Sequence, residues 1–66
     1  MNKPTPTAEQ TLAVQIWAEY AEAERAEMDN AWKTGRVAPA DRERTSAVRA
    51  KFMALSEAAQ NYAIHA

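Results

Sequence analysis

The chain has 66 residues, a formal net charge of −1, one histidine and no cysteine. A chain of this length forms at most one small domain, near the lower limit for independent folding. Its residue content excludes disulfides and metal sites built from thiolates or several histidines, and its charge argues against general affinity for nucleic acid or anionic lipid. Residues 1–10 contain no secretory apolar run and no segment approaches the ~20 apolar residues of a membrane span, so we expect a cytoplasmic protein that binds no membrane.

Hydrophobic residues make up 47% of the chain, but sixteen of them are alanines, so the amount of large apolar side chain is smaller than this fraction suggests. Only fourteen larger apolar side chains follow Met1. A core of this size supplies about 3–5 kcal/mol, and small natural scaffolds usually add a disulfide, a metal or a second chain. The sequence therefore predicts association with another protein chain.

The N-terminal half predicts a short arm and one long helix. Residues 1–6 are expected to be extended, because their two prolines disfavour helix in the residues before them. Thr7 and Gln10 have the spacing of a capping box. From there to about Thr34 the residues favour helix and include no glycine or proline. Gly35 is placed as a left-handed cap at the end of this helix.

A second helix is predicted from Pro39, a favourable first-turn residue, to about Ile64. The connection at 36–38 is short enough to make the two helices antiparallel. The predicted fold class is therefore all-α, with an antiparallel two-helix hairpin over residues 7–66. The inward row of the second helix is Thr45, Val48, Phe52, Leu55, Ala59, Tyr62 and Ala66.

The first helix carries more apolar surface than one facing helix can cover. Two neighbouring rows together span roughly 200° of its circumference at about 100° per residue. One row consists of Leu12, Ala13, Ile16, Tyr20 and Ala23, and the other of Val14, Trp17, Ala21, Met28 and Trp32.

Opposite charges on the two helices indicate which row faces inward. Residues 1–34 hold three basic and six acidic groups, whereas residues 35–66 hold five basic and three acidic groups. Exposed ion pairs stabilise by only ~0–1 kcal/mol each, but several together specify a register. Three such pairs are predicted: Glu22 with Lys51, Glu24 with Arg49, and Asp29 with Arg44. They place the centre of the turn near residue 36 or 37, and the row that begins at Leu12 then faces inward.

The second row is then left largely uncovered, and an apolar patch with two tryptophans is a candidate interface. It either completes the core of a homodimeric four-helix bundle or docks a different protein. We favour the homodimer for this face, and both uses can coexist because a dimer creates new grooves. The predicted interface residues are Val14, Trp17, Ala21, Met28 and Trp32.

Catalysis, a cofactor and a metal are not expected. His65 is the only histidine and lies one residue from the end of the sequence, and Gly35 alone cannot form a glycine-rich phosphate loop. The acidic residues lack the Glu-x-x-His pairs of metal sites in helical bundles. Glu27, near the edge of the inward row, is expected to be a surface or paired carboxylate.

A dimeric bundle that binds nucleic acid is the alternative function, with Arg42 and Arg49 as its contacts. Arg44, Arg49 and Lys51 already have acidic partners in the predicted hairpin, and the basic residues form no continuous stripe. Nucleic acid is therefore the less favoured partner. A purely structural oligomerisation element is the remaining alternative.

The length, the start at Thr7 to Gln10, the turn from Gly35 to Pro39 and the paired apolar rows resemble small helical-hairpin accessory proteins of bacteriophages and plasmids. These include inhibitors of host regulators, such as the phage quorum-sensing anti-activator, and a plasmid RNA-binding hairpin that assembles as a four-helix bundle. The resemblance spans nearly the whole chain, rests on architecture alone and transfers no functional residue. It implies a small inhibitor or adaptor that binds a larger bacterial protein, such as a host regulatory protein.

Overall fold

The computed structural model describes residues 5–66, which form three α-helices and no strand. The predicted all-α class is confirmed, and Met1–Pro4 of the predicted arm lie outside the described residues. The molecule is long and thin, with Cα extents of 51 × 22 × 13 Å, because one long helix packs lengthwise against two shorter ones. The helices are α1 (Ala8–Thr34), α2 (Pro39–Met53) and α3 (Glu57–Ile64).

Both ends of α1 form as the sequence predicts. The Gln10 backbone N–H donates to Thr7 Oγ1 at 3.1 Å, and the Thr7 N–H donates to Gln10 Oε1 at 2.9 Å. This capping box satisfies two donors that would otherwise lack partners. At the other end Gly35 has φ 80°, and its N–H donates to the Ala31 carbonyl at 2.8 Å. The left-handed conformation is accessible there because glycine has no Cβ.

Polar contacts fix the connection between α1 and α2. Pro39 occupies the first turn of α2. Asn30 Nδ2 donates to Asp41 Oδ2 at 2.8 Å across the turn, and Thr45 Oγ1 donates to the Asp41 carbonyl at 3.0 Å. Thr34 Oγ1 lies 2.9 Å from both the Asn30 and the Arg36 carbonyl oxygens, either of which can accept its single proton. These contacts centre the turn near residue 35, slightly earlier than the charge pattern predicts.

The prediction of one continuous second helix to Ile64 is wrong. The helix ends at Met53, and Ser56 has extended backbone angles (φ −61°, ψ 152°) and caps α3 by accepting from the Ala59 N–H at 3.2 Å. Gln60 Nε2 donates to the Leu55 carbonyl at 2.8 Å, which satisfies an acceptor left free at the end of α2. Serine side chains compete with helix hydrogen bonds in this way and favour helix starts over helix interiors.

The core lies between α1 and the other two helices and contains few large side chains. The break before α3 shifts its inward row, so that Ala63 is buried and the predicted Tyr62 is exposed. Leu12 is also exposed, contrary to the predicted row. Within residues 5–66, no helix has both the length and the apolarity needed to cross a membrane. The buried apolar residues are Ala13, Ile16, Ala23, Val48, Phe52, Ala59 and Ala63.

Candidate interaction surface

A row of exposed side chains runs along α1 on the side away from α2 and α3. Trp32 is 89% exposed and Met28 is 71% exposed, the two highest values among the large exposed apolar residues. Spacings of four and three alternate along this row, which is the pattern of a coiled-coil seam. We call it the exposed seam: Val14, Ala18, Ala21, Arg25, Met28 and Trp32.

The exposed seam points almost directly away from the core. At about 100° per residue, its mean direction lies about 145° around α1 from that of the buried residues Ala13, Ile16, Ala23 and Glu27. The thin shape of the molecule leaves this side of α1 open. A shallow depression of about 580 Å³ lies along its second half, lined by Ala21, Glu24, Arg25, Met28, Asp29 and Trp32.

Trp17 does not belong to the uncovered surface, contrary to the prediction. Its ring centroid lies 5.0 Å from that of Phe52 on α2 and 5.8 Å from that of Tyr20. The side chain is partly buried and packs against the core. The indole of Trp17 is long enough to reach Phe52 from the side of α1. The two tryptophans that the sequence places in one patch therefore lie in different environments, Trp17 against the core and Trp32 on the exposed surface. Val14, Ala21, Met28 and Trp32 remain as the predicted residues on the open side.

None of the three predicted charge pairs forms an ion pair in the structure. Asp29 instead pairs with Lys33 one turn along α1 at 3.1 Å, with both side chains largely exposed. The turn centre lies one to two residues earlier than predicted, which moves the facing positions of α1 and α2 by two to four residues and explains the difference. Glu22, Arg44 and Lys51 are exposed.

The interhelix ion pair that does form joins Glu27 to Arg42. Arg42 Nη1 lies 3.4 Å from Glu27 Oε1, with the Glu27 residue only 8% exposed and the Arg42 side chain 73% exposed. Glu27 is therefore a paired carboxylate, one of the two roles expected for it. A carboxylate at this depth requires such a partner, because burying an unpaired charge is unfavourable.

Beside this ion pair, an open recess of about 450 Å³ lies between α1 and α2. Its lining includes Tyr20, Glu24 and Arg49. Hydrogen bonding to the Glu24 carboxylate, followed by desolvation and the negative charges of Glu24 and Glu27, raises the pKa of Tyr20 above its ordinary 10.0, while the positive charge of Arg49 opposes the rise. Glu24 and Arg49 thus occupy the same recess without forming the predicted ion pair.

The two residues predicted as alternative nucleic-acid contacts lie in this recess. Arg42 and Arg49 both line it, and so do Glu24 and Glu27. Equal numbers of acidic and basic groups give no net positive surface there, whereas binding to phosphates requires one. The described residues also contain no cluster of three or more carboxylate or histidine side chains suited to a metal ion.

No family model, curated protein or solved structure matches this chain. The functional assignment therefore depends on the chain's own residues. Two members of the exposed seam, Ala18 and Arg25, are absent from the predicted interface. The sequence contains a signal for them, because residues 18, 25 and 32 repeat every seven positions beside 14, 21 and 28. The predicted row passes through Trp17 in place of Ala18, and it contains only apolar residues, which leaves out the charged Arg25.

Proposed function

We propose that this chain is a non-enzymatic protein–protein interaction module that packs the exposed seam of α1 against a helix of another protein chain. The observation that carries the proposal is the exposure of Trp32 and Met28 on the open side of a well-capped helix. Tryptophan in particular is enriched among residues that dominate binding energy at interfaces.

The form of the surface favours a helical partner. The exposed seam spans about 27 Å at ~1.5 Å per residue and repeats with the spacing of a coiled coil. Small residues at Ala18 and Ala21 let another backbone approach closely, while Met28 and Trp32 supply contact area. A face of this shape blocks or bridges protein surfaces, which is the action of a small inhibitor or adaptor of a larger bacterial protein.

Cross-linking at the border of the seam tests the proposal. The chain has no cysteine, so Asp29→Cys provides a unique attachment point for a benzophenone beside Met28 and Trp32. We expect illumination in a bacterial extract to join this position to a second protein chain, and Met28→Ala/Trp32→Ala to abolish the product. A benzophenone on Ala40→Cys, which lies on the exposed surface of α2, is the position control.

Met53→Ala is the matched control for loss of apolar surface, because Met53 is exposed and lies on α2 away from the exposed seam. It should leave the product of the Asp29 probe unchanged. The proposal is wrong if the probe at position 29 forms a cross-link neither to a different protein nor to another copy of this protein. It is also wrong if the product persists after both seam side chains are removed.

A further inference from the structure

We infer that the occupant of the exposed seam is a second copy of this chain, with the two α1 helices antiparallel and related by a twofold axis near residue 23. This inference rests on the proposed function and identifies the partner of the same surface. It follows from the order of residues along the seam. When two copies run antiparallel, large side chains of one copy lie opposite small side chains of the other, and opposite charges lie close together.

The sizes of the side chains match in this register. Trp32 lies opposite Val14 of the second copy, and Met28 lies opposite Ala18. The largest residues of each seam thereby meet the small or β-branched residues of the other, which is the alternation that gives close packing. In a parallel dimer each Trp32 would instead meet its own copy at one end, and the alanines would leave space at the middle.

The charges select the same arrangement. Arg25 is the one charged residue of the exposed seam, and the antiparallel register places it opposite Ala21 and close to Glu22 of the second copy. The twofold axis repeats this contact, so two Arg25 and two Glu22 side chains alternate in sign around the centre of the dimer. A parallel dimer would place Arg25 directly against Arg25 of the second copy, which is unfavourable.

The exposed tryptophan and the small core both favour self-association. Two Trp32 side chains would bury on the order of 300–500 Å² at ~150–250 Å² for each aromatic residue, and the other seam residues must contribute more than half of the roughly 1,200 Å² of a stable interface. The buried apolar residues among 5–66 include only Ile16, Val48 and Phe52 above alanine in size. A chain with so small a core gains stability by burying further apolar surface in an oligomer.

The resulting assembly is layered. Because the exposed seam lies about 145° around α1 from the core, the two α1 helices form a central pair with α2 and α3 of each copy on the outside. This arrangement is the finer form that we propose for the predicted dimer, in place of a closed four-helix bundle around one shared core.

Disulfide cross-linking distinguishes the two orientations. In the antiparallel register, residue 18 faces residue 28 of the second copy, whereas each residue lies about 15 Å along the axis from its own copy. A disulfide requires Cα atoms within about 7 Å. We therefore expect a mixture of Ala18→Cys and Met28→Cys chains to form a covalent heterodimer under mild oxidation, and neither variant alone to form a covalent homodimer. Cross-linking of each variant to itself, without the mixed product, would overturn the antiparallel register.

Charge reversal tests the same register without removing apolar contacts. Sedimentation equilibrium over a dilution series should show a wild-type dimer, and Arg25→Glu should raise its Kd by at least about tenfold. Glu22→Arg should act similarly, and the double variant should recover most of the affinity. Circular dichroism of each variant checks that helix content is retained. Absence of recovery in the double variant would contradict the pairing of Arg25 with Glu22.

The outcomes separate this inference from the proposed function. A wild-type chain that stays monomeric up to millimolar concentration overturns the second copy as occupant. If the benzophenone at position 29 still joins such a monomer to a different protein through Met28 and Trp32, the proposed function stands. If it joins no chain, both proposals fail.

Discussion

Ser56 Oγ lies 2.6 Å from Glu9 Oε1, joining residues 47 positions apart in the sequence. The same hydroxyl accepts the Ala59 backbone N–H at 3.2 Å. One serine therefore starts α3 and holds it to the first turn of α1. This double role stabilises the break between α2 and α3, since the residue that caps α3 also joins it to α1.

Removing the Ser56 hydroxyl should destabilise the fold through α3. We expect Ser56→Ala to lower the free energy of unfolding by about 1–2 kcal/mol, because an N-cap and a hydrogen bond are lost together. Glu9→Ala, which leaves the cap intact, should cost less than about 1 kcal/mol because the contact is exposed. Urea denaturation followed by circular dichroism measures both. Equal losses in the two variants would show that the cap contributes little.

The ion pair between Glu27 and Arg42 should couple energetically, and the predicted pair of Glu22 and Lys51 should not. Double-mutant cycles with alanine at each position give the coupling free energy. We expect about 0.5–1 kcal/mol for Glu27 with Arg42, a modest value because Arg42 is largely exposed, and about zero for Glu22 with Lys51. The reverse ranking would restore the register that the charge pattern predicts and contradict the structure.

The two tryptophans should respond differently to substitution. Trp17→Ala removes contacts with Phe52 and Tyr20, and we expect it to lower the free energy of unfolding by about 2 kcal/mol. Trp32→Ala should change monomer stability by less than about 0.5 kcal/mol, because the side chain is exposed. Unfolding at two protein concentrations separates the effect on the monomer from the effect of association. If Trp32→Ala substantially lowered the free energy of unfolding of the monomer, Trp32 would belong to the core.

The pKa of Tyr20 should lie above 10.0 in the folded chain, principally because of hydrogen bonding to Glu24. In a Tyr62→Phe background, absorbance at alkaline pH reports Tyr20 alone. Glu24→Gln should lower its pKa, whereas Arg49→Gln should raise it further. Because the pKa is raised in the folded state, the associated stability is fully present below pH 10 and lost as pH rises through the folded pKa. A Tyr20 pKa unchanged by Glu24→Gln would remove the assigned cause.

Local sequence rules were sufficient for α1 and its turn, and insufficient for the arrangement of helices. Thr7, Gln10, Gly35 and Pro39 act through neighbours within a few positions, so their roles follow from spacing alone. The break at Ser56 escaped prediction because the apolar spacing continues across it, although a serine followed by an acidic residue is a typical helix start.

The candidate surface was predicted only in part, for a different reason. Met28 and Trp32 are exposed because the core direction of α1 points away from them, and helical periodicity captures this. Whether Trp17 is covered depends on the reach of its indole to Phe52, and the charge pairs depend on a shift of one or two residues in the turn. Distances of a few ångströms between helices decide both, and spacing along one helix does not encode them.

The contact of α1 with α3 has a consequence for mutational tolerance. Ala13, Ala59 and Ala63 are almost completely buried in the core cluster where α1 meets α3. A larger side chain would push the helices apart, whereas glycine or serine would fit. In related sequences we therefore expect substitutions at these three positions to be confined to the smallest residues. Exposed positions outside the exposed seam carry no such restriction, so the α1–α3 contact should change more slowly than they do.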